Sequence, residues 1–207
     1  MLMTRVFPAF CFLLFTNYLM GCSRGPARVN PPHIDLESAA EEAIQLYDTD
    51  KDGSLNEAEL AHCPGMLAER AAYDTDANGL ITRDEITERI KSLRKYGVGL
   101  TRLQCEVRVN GRPLDGAAVR FDPEPYLGDE IKPAIGTTNQ RGLAQMAIPA
   151  EELPRAQQGL KAIHYGTYKV RITHPKISLP PKYNTQTTLG YETRTGDPYA
   201  SYSLTVP

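Results

Sequence analysis

Two twelve-residue stretches of this chain place oxygen-bearing side chains at alternate positions ahead of a fixed glycine and close on a glutamate. The first runs Asp48-Thr49-Asp50-Lys51-Asp52-Gly53-Ser54-Leu55-Asn56-Glu57-Ala58-Glu59. The second runs Asp74-Thr75-Asp76-Ala77-Asn78-Gly79-Leu80-Ile81-Thr82-Arg83-Asp84-Glu85. Both satisfy D-x-[DN]-x-[DN]-G-x5-E. Gly53 and Gly79 permit a sharp turn that a β-carbon would resist. The two matches stand in tandem and neither lacks a position.

That spacing delivers oxygens from one turn of chain, and a hard cation such as Ca²⁺ takes roughly six to eight of them. The stretches resemble EF-hand calcium loops. By that resemblance Asp48, Asp50 and Asp52 offer side-chain oxygens, Ser54 its carbonyl, Asn56 a water-bridged contact and Glu59 a bidentate carboxylate. The matching set in the second loop is Asp74, Asp76, Asn78, the Leu80 carbonyl, Thr82 and Glu85. Two Ca²⁺ ions are the implied cofactors. The first site has four carboxylates and the second three, so at equal geometry the first binds more tightly. A bidentate glutamate disfavours Mg²⁺, which prefers octahedral geometry and its own waters. The alternative is a pair of solvated acidic turns. Dockerin modules also repeat calcium loops but usually end them with Asp; Glu59 and Glu85 favour the EF-hand, while the short repeat leaves dockerin-like geometry as an alternative.

Helical spacing flanks both loops. Ser38 can act as N-cap with Glu41 completing a capping box, and Ala40, Ala43, Ile44 and Tyr47 lead into the first loop. Leu55 and Ile81 occupy position 8, where paired loops touch in a short antiparallel contact. After the second loop Ile86, Ile90 and Leu93 recur at helical spacing, and the helix should stop before Gly97. Between the loops Cys63-Pro64-Gly65 interrupts residues 60–73, which predicts two very short inner helices. Short helices expose little groove on opening, which favours a structural or buffering site over a switch.

From about Val98 the period becomes two. Leu103, Cys105, Val107 and Val109 alternate with polar residues, and so do Tyr168, Val170 and Ile172. Ala118–Phe121, Thr187–Glu192 and Ser201–Val206 read as further strands. Residues 136–138 and 143–148 read as the arms of a hairpin about Asn139–Gly142. Asn110-Gly111 and Asp115-Gly116 mark turns. Short strands at this spacing suggest an antiparallel sandwich or barrel. Val109–Val119, Gly136–Gly142 and Gly166–Val170 resemble the transthyretin-like or carboxypeptidase-regulatory β-sandwich. Leu179–Asn184 is similar to a segment of small exported lipoproteins of planctomycete-type bacteria. The chain departs from the pattern at Leu143 and at Ala162–Tyr165. The resemblance implies a domain without catalytic residues of its own.

The N-terminus has another character. Arg5 precedes an apolar run, Val6 to Phe15, too short to span a bilayer and readable as a secretory signal. Leu19-Met20-Gly21-Cys22 resembles a lipobox, which implies lipidation of Cys22 and an exported chain held on a membrane. A plain signal peptide is the alternative. Acyl chains contribute about 0.8 kcal/mol per buried methylene. Ser23, rather than Asp, leans towards the outer membrane. Of the four cysteines, Cys63 and Cys105 then remain in the folded part, as a disulfide joining its halves or as two buried thiols.

Charge divides the chain. Residues 35–92 hold 15 acidic and 5 basic side chains, while residues 93–207 hold 10 acidic and 15 basic. A basic β domain could dock on the acidic one or on an anionic surface. Its lysines and arginines are spread along strands without an aromatic platform motif, which argues against nucleic acid. Sequence motifs of serine hydrolases, P-loop proteins, zinc proteases and dinucleotide-binding enzymes are absent, and His33, His62, His164 and His174 are isolated.

The expectation is a multidomain α plus β protein: signal peptide 1–21, tether 22–36, EF-hand pair 37–96, and antiparallel transthyretin-like β-sandwich 98–207. Its expected role is a non-enzymatic, lipid-anchored calcium-binding protein of the cell envelope, with an envelope protein or glycan as possible partner. A carbohydrate- or peptidoglycan-binding module using the tyrosines after Tyr165 is the alternative. A hydrolase would need a polar cleft with convergent ionisable groups.

Overall fold

A computed structural model describes residues 29–95, 99–194 and 200–206. The expected signal peptide, Cys11, Cys22 and residues 22–28 of the expected tether lie outside the described residues. The elements, in chain order, are α1 (Leu36–Tyr47), β1 (Ser54–Leu55), α2 (Glu57–Leu60), α3 (Pro64–Leu67), α4 (Arg70–Tyr73), β2 (Ile81–Thr82) and α5 (Arg83–Leu93). There follow β3 (Leu100–Thr101), β4 (Gln104–Val109), β5 (Arg112–Pro113), β6 (Ala118–Pro123), β7 (Ala134–Thr137) and β8 (Leu143–Gln145). The last four are β9 (Ile163–His164), β10 (Thr167–Thr173), β11 (Gly190–Glu192) and β12 (Ser201–Val206). The protein is therefore mixed α and β, with a helical first part and a β-rich remainder. Among the described residues no helix is long and apolar enough to cross a membrane.

α1 starts three residues earlier than a Ser38 cap would have it. Asp35 is the N-cap, and its carboxylate accepts the Ser38 amide at 3.1 Å. Helical spacing puts Ala39, Ala40, Ala43 and Tyr47 on the buried face, against α5. Between the loops stand three one-turn helices, not two. Pro64 sits at the start of α3, where a missing N–H costs nothing. β1 and β2 pair antiparallel with Leu55 opposite Ile81, both fully buried, as position 8 of each loop predicts.

The β-rich part holds two four-stranded sheets. One has the order β11-β10-β6-β7 and is antiparallel throughout. In the other β4 is central: β12 lies along one edge, and β8 and β5 share the opposite edge. β12 runs parallel to β4, a departure from the all-antiparallel expectation. Asn110 and Gly111, with φ of 49° and 75°, turn β4 into β5. Positive φ at both positions is what a tight two-residue hairpin requires. The predicted hairpin about Asn139–Gly142 keeps its turn but not its ladder. β7 joins one sheet and β8 the other, linked through the single bridge Ile135–Ala147. Gly136 allows this crossing, because a β-carbon there would lie 2.9 Å from the Met146 sulfur.

Alternating residues of both sheets, Cys105 and Val107 from one and Val119, Phe121, Val170 and Ile172 from the other, face a shared interior. Phe121 meets Tyr202 of the opposite sheet edge-on, with ring centroids 5.8 Å apart. The same core cluster continues without a break into the helical part through Cys63, Met66 and Tyr73. Cys63 and Cys105 are free and buried, so the disulfide expectation gives way to two thiols. Burial pushes the Cys105 thiol up to about 12 and raises Cys63 as well, leaving both protonated.

Candidate metal centre

Each acidic loop leaves the last turn of a helix and enters the first turn of the next. Asp48 caps the C-terminus of α1 and Asp74 that of α4, each amide donating at 2.9 Å to the carbonyl four residues back. The two loops share one backbone. Position 4 is left-handed in both, Lys51 at φ 61° and Ala77 at φ 58°, and position 6 is Gly53 at 89° and Gly79 at 88°. A non-glycine residue in this region costs roughly 1–2 kcal/mol. Lys51 and Ala77 therefore hold conformations that the surrounding hydrogen bonds must sustain.

Those bonds also match. The Gly53 amide donates to Asp48 Oδ2 and the Gly79 amide to Asp74 Oδ2, each at 2.9 Å. Lys51 donates to Asp48 Oδ1 at 2.6 Å, and Ser54 gives its amide and hydroxyl to Asp52 Oδ1 at 2.8 and 2.7 Å. In the second loop the Asn78 amide bridges Asp74 and Asp76 at 3.0 and 3.1 Å, and the Leu80 amide donates to Asn78 Oδ1 at 2.7 Å. Both exit helices begin with a capping box. Asn56 caps α2 and Glu59 answers it; Thr82 caps α5 and Glu85 answers it. Asn56 and Thr82 are thus helix caps as well as candidate ligands.

Two groups of carboxylates result. Oxygens of Asp48, Asp50 and Asp52 lie within 4.8 Å of one another, and so do oxygens of Asp74, Asp76 and Glu85. Each group can hold a metal ion, and an all-oxygen donor set suits a hard divalent cation. Glu59 is not gathered into the first group. Its Oε1 takes the amides of Thr49 and Asp50 at 2.7 and 3.3 Å, and its Oε2 takes the Asn56 amide at 2.9 Å. Glu85 takes the Thr75 and Thr82 amides, both at 2.9 Å, yet stays with its aspartates.

Electrostatics follow from these contacts. For Glu59 and Glu85 desolvation is the largest single influence and raises the carboxyl. The sum of donated hydrogen bonds outweighs it and leaves both below their ordinary value. Asp50 goes the other way. The Asp52 amide lowers it, but desolvation and the charges of Asp52, Glu59 and Asp48 together raise it. A bound cation would relieve that repulsion.

Composition and spacing gave no hint of what stands behind the loops. Tyr47, just before Asp48, donates its hydroxyl to Glu124 Oε2 at 3.0 Å in a buried contact. Glu124 also accepts the Gly65 amide at 2.9 Å and pairs with Lys169 at 3.3 Å. Tyr73, just before Asp74, is fully buried beside Glu192, which is paired with Arg89. The expected docking of a basic β part on an acidic helical part is only partly what occurs. Arg194 pairs with Glu69 in that sense at 2.9 Å, but the buried Arg89–Glu192 pair has the charges reversed.

No family model matches the chain, and no curated protein matches it. Among solved structures it is similar to the Bacillus anthracis TIE protein at 16% identity and a TM-score of 0.35. That likeness covers 52% of this chain and 16% of the other. Likeness of this degree fixes neither fold family nor function.

Proposed function

We propose that this chain is a calcium-binding, non-enzymatic protein of the cell envelope. In this reading an EF-hand-like pair supports a β-sandwich of transthyretin-like kind, and the chain is exported and lipid-anchored through Cys22. One observation carries the metal assignment: two loops with the same left-handed residues at positions 4 and 6 each converge three carboxylates. Solvated acidic turns have no reason to adopt one strained backbone twice.

Asp48, Asp50, Asp52 and Glu59 would hold one ion with the Ser54 carbonyl and, through water, Asn56. Asp74, Asp76, Asn78 and Glu85 would hold the other with the Leu80 carbonyl and Thr82. The ion supplies charge neutralisation, and the chain's own amides already orient the aspartates. The short helices between the loops and their burial against the β-rich part favour a structural calcium site over a switch.

Calorimetric calcium titration of the chain, beside Glu59→Gln and Glu85→Gln, tests this. The parent should bind two ions and each variant one. No heat and no thermal shift in the parent would overturn the calcium reading.

A further inference from the structure

The tyrosine before each loop belongs to the same three-part arrangement. Behind the first loop, Tyr47 donates to Glu124, Lys169 pairs with Glu124, and the Lys169 ammonium lies 5.7 Å from the centre of the Tyr47 ring. Behind the second, Tyr73 faces Glu192, Arg89 Nε donates to Glu192 at 3.0 Å, and the Arg89 guanidinium lies 5.8 Å from the Tyr73 ring centre. Both glutamate side chains are fully buried. They come from β-strand regions outside the tandem loops, Glu124 just after β6 and Glu192 at the end of β11. Only the first of these tyrosines is hydrogen-bonded to its glutamate.

We propose that Glu124 is a positioning residue for the first acidic loop, holding Tyr47, the residue that immediately precedes the loop's first candidate ligand. This rests on the calcium reading above and deepens it. The mechanical link is short. Tyr47 and Asp48 have adjacent Cα atoms, about 3.8 Å apart across one peptide bond, so fixing the Tyr47 side chain limits where Asp48 can place its carboxylate.

Glu124 is itself anchored, by Gly65 and Lys169 through its carboxylate and by its own amide to the Thr167 carbonyl at 2.9 Å. The second arrangement is looser. Neither Tyr73 Oη nor Glu192 Oε2 makes a hydrogen bond, and Glu192 is held by Arg89 instead. The first loop is therefore the more tightly held. By linkage, whatever favours the binding-competent loop raises calcium affinity by the same factor by which calcium favours the clamp.

The test uses the full chain carrying Glu85→Gln, so that only the first loop binds. Tyr47→Phe removes the hydroxyl and keeps the ring, and Tyr168→Phe is the control. The latter removes another buried tyrosine hydrogen bond, 2.7 Å to the His164 carbonyl. Tyr47→Phe should weaken calcium binding about fivefold or more, the lower end of ordinary coupling, and Tyr168→Phe should leave it unchanged.

Glu124→Gln is the second variant and should weaken binding in the same direction. Hydrogen exchange at residues 48–59 without calcium gives a readout independent of the ion. Exchange there should quicken in Tyr47→Phe more than in Tyr168→Phe. Unchanged affinity and exchange in both Tyr47→Phe and Glu124→Gln would overturn the positioning role while the calcium reading stood. No calcium binding in the parent would instead overturn that reading, leaving the exchange comparison to decide the clamp.

Discussion

His164 sits in β9 at 6% exposure with Nδ1 accepting the Lys132 amide at 3.1 Å, so that nitrogen carries no proton. Burial, aided by the Lys132 charge, lowers its pKa from 6.5 to about 4. The fold therefore holds a neutral imidazole that the unfolded chain protonates first. The stability this group contributes is complete above about pH 6.5. It falls as pH drops towards about 4, by about 1.4 kcal/mol per unit, because only the unfolded chain gains a proton in that window. His164→Gln keeps an acceptor for the Lys132 amide and should flatten this limb. Denaturant midpoints at pH 7 and pH 5 for both proteins check it. An equal drop in both would assign the loss to other groups.

Among the elements, α3 decides how the helical part meets the sheet. Its first residues lie directly over β10 and β11. A β-carbon on Gly190 would stand 1.6 Å from the Pro64 carbonyl oxygen, and one on Gly65 would stand 2.9 Å from the Tyr168 amide nitrogen. Neither glycine has a positive φ, so the requirement is for space alone. Gly190→Ala meets backbone it cannot displace and should cost about 4 kcal/mol or more. Gly65→Ala should cost less, since part of what it meets is the Glu124 side chain. Thermal melts of the two variants give the ranking, and equal melting points would argue against so close a contact.

This docking was not legible in the sequence, where Cys63-Pro64-Gly65 reads only as an interruption. The loops were legible because their geometry is made locally, by a glycine, by side chains bonding amides two to five residues on, and by a capping glutamate. The hairpin about Asn139 was half legible. Its turn is local, but which sheet each arm joins is set by distant partners, β6 for β7 and β4 for β8. Glu124 and Glu192 were invisible, since nothing nearby in sequence marks a carboxylate as buried beside a cation.

One core runs through both parts, so they should unfold together. Under the proposed calcium binding, a hundredfold excess over the dissociation constant would add about 2.7 kcal/mol for each site, and that stabilisation should reach the β-rich part as well. Far-ultraviolet circular dichroism and tyrosine near-ultraviolet signals should give one coincident transition that moves up with calcium. A sheet transition indifferent to calcium would mean that the parts melt separately.

The parallel pairing of β12 with β4 bears on time rather than on equilibrium. Ser203 and Glu106 are register partners 97 positions apart in the chain, whereas each acidic loop closes on its own neighbours. Distant closure is slow, and the loop contacts need no such search. The closure of β12 on β4, rather than the acidic loops, should therefore set the pace of reaching the native state.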